Sequence, residues 1–207
     1  MIDSSIETLP LIEAIEVYKR KHYPHLKWMK DYYKKLSLSQ AIDQGARGLN
    51  PEKGGKQLMN SHQRRVGLKK CEEGALALSK WEKEFQQCSN FKELYDTTIK
   101  AKQGIKKLGP LWTYDTTLRI AFSKGEKYYP RKVYVQSGVK DGIRKLYKNM
   151  KPPSRRSIEV DDLCILSSEL RKLKSYMLEH FFCVWGKSER DNDCLLYTSP
   201  SPRDKRQ

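Results

Sequence analysis

The run Gly104 to Arg119, GIKKLGPLWTYDTTLR, constrains the fold more than any other part of the chain, because it sets a short turn between two stretches that both read as helix. Ahead of it, Phe91, Leu94, Tyr95, Thr98 and Ile99 recur at i, i+3, i+4, i+7 and i+8 within Phe91 to Lys102. That period gives a helix one apolar face, which needs a buried partner. Ser89 or Asn90 caps it, with Glu93 completing a capping box three residues after Asn90. Behind the turn, Thr113 is placed to cap a second helix, Asp115 falls in its first turn, and Leu118, Ile120 and Ala121 supply apolar positions. Leu108, Gly109 and Pro110 leave room only for a tight hairpin over about residues 90–124.

This spacing resembles the helix-hairpin-helix motif of DNA-binding and DNA-repair proteins, which reads hydrophobic, any residue, glycine, hydrophobic, glycine, then helix. Ile105, Leu108 and Gly109 match it, and Lys107 stands where the first glycine belongs. The resemblance implies a phosphate received by Gly109 and the amides of Leu111 and Trp112, with Lys106 and Lys107 beside them. Glycosylases of that class carry a lysine on the helix after the hairpin and an aspartate further on. Here the helix opens Pro110, Leu111, Trp112, and Asp115 comes too soon; it fits better as a partner of the helix dipole and of Arg119 at i+4. The motif therefore argues for binding rather than cleavage. LWTYDTTLRI, with KVYVQSG and VDDLCI further on, is similar to small uncharacterised bacterial proteins carrying G-x-L-T-x-Y-D-T-A-x-R-I. That likeness covers about 61–174 and implies a shared fold without an activity.

Charge singles out the same region. Residues 100–156 hold 16 Lys and Arg against 3 Asp and Glu, a net +13, whereas residues 1–99 carry +4 and residues 157–193 carry −3. Cations at this density attract phosphates, which makes nucleic acid, DNA foremost, the expected partner. Cys194 to Asp204, CLLYTSPSPRD, resembles a translated sequencing adapter, so 194–207 is expected to be a disordered artefact and the natural sequence to be interrupted near Asp193. No apolar run is long enough to span a membrane and no leader pattern opens the chain, so a cytoplasmic protein is expected. Cys71, Cys88, Cys164 and Cys183 are widely separated and read as reduced structural thiols. Neither a metal site nor a cofactor is implied.

The remaining chain reads as one all-α domain over 1–193, of about eight helices. Helices are expected from Pro10 to Lys21, interrupted by His22 to His25, then from Leu26 to Leu36 and from Ser37 onward, with a glycine-rich loop at Gly45 to Gly55. A further helix is expected from Leu68 to Phe85. Tyr128 to Val135 has strand composition, yet without a partner strand it is read as an extended segment or a helical turn. Ser137 to Met150 reads as a helix with Val139, Ile143, Leu146 and Tyr147 inward and Lys140, Arg144, Lys145 and Lys148 outward. Two more follow, near Ile158 to Leu166 and from Ser167 to Trp185.

The expected interface adds Arg64, Arg65, Lys140 and Arg144 on flanking phosphates, contacts that carry little sequence information. His62, Gln63, Tyr114, Asp115 and Arg119 are candidates for polar contacts. Two readings stand beside this one: a DNA-repair-like enzyme with an unrecognised pocket, and an interaction domain for an acidic partner.

Overall fold

The computed structural model describes residues 11–50, 59–147 and 156–187, and the all-α class expected from periodicity holds there. Among the described residues there are eleven α-helices where about eight were expected. They are α1 (Leu11–Lys21), α2 (Tyr23–Tyr33), α3 (Leu38–Arg47), α4 (Ser61–Val66), α5 (Leu68–Ser79), α6 (Glu82–Gln87), α7 (Phe91–Ala101), α8 (Pro110–Lys124), α9 (Ser137–Tyr147), α10 (Val160–Leu166) and α11 (Ser175–Lys187). The chain gathers into two compact units, Tyr23–Lys132 on the one hand and the described residues through His22 and from Val133 onward on the other. None of the described helices is long and apolar enough to cross a membrane.

The unit Tyr23–Lys132 is built around α8. Ten of its fifteen residues are buried, including Trp112, Thr116, Thr117, Arg119 and Phe122, so it lies inside a ring of other helices. Several of its polar side chains are matched locally or on neighbouring helices: Thr117 Oγ1 donates to Thr113 O at 2.7 Å and lies 3.0 Å from Thr98 Oγ1 of α7. Trp112 Nε1 donates to Ala46 O at 2.9 Å, and Arg119 Nη1 to Gly45 O at 3.3 Å. These two bonds satisfy carbonyls at the end of α3, where the helix dipole favours a cation. Two glycines make room for α8. A Cβ on Gly45 would stand 3.3 Å from Arg119 Cβ, and one on Gly74 of α5 would stand 2.7 Å from the Trp112 ring.

In the second unit, α9 and α11 approach so closely that a Cβ on Gly142 would collide with the Phe182 carbonyl and one on Gly186 with the Gly142 amide. Tyr18 of α1 enters the same core, its hydroxyl 3.0 Å from His180 Nδ1 and its ring edge-on to Phe181 at 5.5 Å. Val139 and Ile143 are buried and Lys140 and Arg144 exposed, as the spacing predicts. Lys145 instead reaches Trp185 O at 2.7 Å.

Several expectations need correction. Strand composition at 128–135 does find a partner: β1 (Lys132–Tyr134) pairs with β2 (Ser157–Glu159), and Val135 N donates to Arg156 O at 2.9 Å. Each strand is three residues long and the mate is over twenty residues away, so neither shows a period. The interruption expected over His22 to His25 is confined to His22; α2 opens at Tyr23 with Pro24 in its first turn, where a missing N–H costs nothing. Gly45 to Arg47 belong to α3, not to a loop, and 51–58 lie outside the described residues. The helix expected over 68–85 breaks at Lys80 and Trp81 into α5 and α6. The helix expected from Ser167 divides into a 3-10 turn at Ser168–Lys172 and α11. The adapter-like 194–207 also lies outside the described residues.

Candidate nucleic-acid interface

The connection between α7 and α8 is the expected turn, but its chemistry differs from the expected one. Lys102 ends α7 and folds back to donate from Nζ to Leu108 O at 2.7 Å, closing residues 102–108 like a clasp. Partial burial holds its ammonium below the usual lysine range. Periodicity gave no sign of this residue, because its partner is a backbone carbonyl within an irregular segment.

Within the clasp, Gly104 (φ 86°) and Lys107 (φ 74°) take the left-handed conformation. Lys107 is the residue that stands at the motif's first glycine, and it adopts the backbone geometry a glycine favours. Lys106 and Lys107 are exposed, while Leu108 turns inward as the anchor.

The start of α8 corrects the expectation of a Thr113 cap. Gly109 is the N-cap, extended at φ −76° and ψ −178°, and Pro110 follows at the first helical position. Thr113 already accepts the helical geometry, its N–H and Oγ1 both bonded to Gly109 O at 3.1 Å. With the helix beginning here, Asp115 falls beyond the first turn, which contains no acidic residue. Gly109 supplies no side-chain cap, and none of the described residues beyond its chain neighbours lies within 4 Å of where its Cβ would be. The positive end of α8, with the amides of Leu111 and Trp112, thus has no acidic residue in its own first turn and no side-chain cap from Gly109, and it follows directly on the exposed Lys106 and Lys107.

No protein-family model, curated protein or solved structure matches the chain.

The other expected residues fall into distinct places. α4 lies against the end of α3: Asn60 N donates to Gly48 O at 2.7 Å, and a Cβ on Gly48 would meet Gln63 Cγ at 2.5 Å. Since Trp112 bonds Ala46 in that same turn of α3, Arg64 and Arg65 of α4 and the first turn of α8 share a neighbour. Both arginines are exposed, and Arg64 Nη2 is 3.5 Å from Met59 O. His62 belongs to α4, but its side chain lies outside the described residues. Lys140 and Arg144 are exposed on α9 in the other unit, Arg144 bonded to Asp141 at 2.9 Å.

Three of the expected polar contacts are interior. Gln63, Tyr114 and Arg119 are 0%, 1% and 2% exposed, so their side chains are not presented to a surface ligand. Trp112 is buried too, which leaves only its amide for the role expected of it. Asp115 is half-buried. Among the described residues, the Gln63 amide and Arg119 Nε find no hydrogen-bond partner, an arrangement that costs stability unless water enters. Cys71, Cys88, Cys164 and Cys183 are free thiols, and burial pushes Cys71 and Cys164 up, away from the reactive thiolate.

Proposed function

We propose that the chain binds nucleic acid, duplex DNA foremost, by receiving the phosphate backbone at the α7–α8 turn, largely without regard to sequence. The observation that supports this reading is the uncapped, acid-free start of α8 at Gly109, set directly beside exposed Lys106 and Lys107. Arg64 and Arg65 supply further exposed cations within the same unit, and Lys140 and Arg144 are exposed cations of α9 in the other unit. The likeness to the helix-hairpin-helix motif favours the same assignment, and free buried thiols suit a cytoplasmic setting.

Binding of this kind releases counterions, so affinity falls with salt in proportion to the number of phosphates neutralised. A titration of labelled duplex from about 50 to about 200 mM salt is expected to show a steep loss of affinity. Charge reversal in K106E/K107E is expected to weaken binding to every sequence alike and to lower the slope by about two. Salt-independent binding, or none at low salt, removes the proposal.

A further inference from the structure

One side of α2 faces the interior, with Leu26, Met29 and Tyr33 buried, whereas Trp28 lies off that side and is 38% exposed. The His25 ring stands one turn earlier, its centroid 5.5 Å from the Trp28 ring and tilted 45° to it. Lys27, Lys34 and Lys35 are exposed on the same helix and its extension, and Lys30 is half-buried among them. A single carboxylate, Asp31, sits within this group, bonded to Lys27 Nζ at 2.7 Å. That pair is exposed and i,i+4, a contact that yields readily to a stronger anion.

Two adjacent rings on a segment that also carries exposed lysines suit a ligand with a flat π-face and a negative charge. An unpaired nucleotide has both. Paired bases inside a duplex stack on each other and offer only their edges, so they do not fit. We propose that the exposed face of α2 is a stacking platform for unpaired bases, with Trp28 as the principal ring, His25 as its neighbour, and Lys27, Lys34 and Lys35 holding the adjoining phosphates. The inference rests on the nucleic-acid reading above but uses none of the residues of the α7–α8 turn. It assigns the protein a second mode, in which it favours single-stranded or locally opened strands.

The test compares the full chain, W28A, W28F and K106E/K107E on a thymidine oligonucleotide of about twelve nucleotides and on a blunt duplex. W28A is expected to lose about tenfold in affinity for the single strand with duplex affinity unchanged, and W28F to keep most of it. Tryptophan emission is expected to be quenched by the oligonucleotide in the wild type and not in W28F. Equal single-strand binding by wild type and W28A overturns the inference, as does a parallel loss on both substrates. So does displacement by polyglutamate to the same degree in both proteins, or a Trp28-dependent dimer in sedimentation. If duplex binding depends on Lys106 and Lys107 while W28A costs nothing, this inference alone falls. Absence of binding to either substrate removes both readings.

Discussion

Lys107 carries two roles of opposite energetic sign. Its left-handed backbone costs an L-residue about 1–2 kcal/mol, whereas its ammonium is exposed beside the proposed phosphate position. Lys107→Gly is therefore expected to stabilise the fold by about 0.5–1 kcal/mol in urea unfolding, because relief of strain exceeds the added entropy of glycine. The same variant is expected to bind nucleic acid less well, with a salt slope lower by about one. Lys107→Ala, which removes the charge and keeps the strain, separates the two effects: it is expected to lose binding without gaining stability. Arg119 makes the opposite point about cations. Although it sits in LWTYDTTLRI and looks available from the sequence, it lies on a buried side of α8 and serves the end of α3.

At the level of helices, caps explain what was legible. The start of α7 is specified locally: Asn90 Oδ1 accepts from Glu93 N at 3.0 Å, and the Glu93 carboxylate accepts from Ser89 N at 2.7 Å and from Asn90 Nδ2 at 2.7 Å. These bonds, the Ser89 amide first, hold the Glu93 carboxyl below its ordinary value. The folded value thus lies below the unfolded one. The cap's contribution is complete above the ordinary glutamate value of 4.5 and is lost as pH falls below it through the folded value. The difference in melting temperature between wild type and Glu93→Gln is expected to shrink between about pH 6 and about pH 3. A constant difference would mean that the carboxylate is not the acceptor. α7 was readable because its stripe lies within its own eleven residues and its N-cap, Asn90, directly precedes them. α8 was misread at its start because Thr113 has the chemistry of a cap, while the actual boundary is set by the extended Gly109 and the fixed φ of Pro110. The β1–β2 pair and the glycine contact between α9 and α11 depend on partners distant in sequence, which periodicity does not reveal. The lysine cluster of the turn was legible as charge; the Lys102 clasp that presents it was not.

The α7–α8 turn, Arg64, Arg65 and the exposed face of α2 all belong to the unit Tyr23–Lys132, which has its own core around α8. Residues 23–132 expressed alone are expected to be helical by circular dichroism and to melt cooperatively. A broad, non-cooperative melt of that fragment would show that α8 is not enough to sustain a core. The other unit is discontinuous, since α1 comes before this segment and the rest of the unit after it. Tyr18 meets Met177 O at a sequence separation of 159 residues. On the ribosome, at about 5–20 residues per second, α1 emerges first and waits about 10–30 s for α11 to be translated. During that interval the nascent chain exposes Ile15 and Tyr18 to solvent, and residues 23–132 are already complete before the opening helix finds its place.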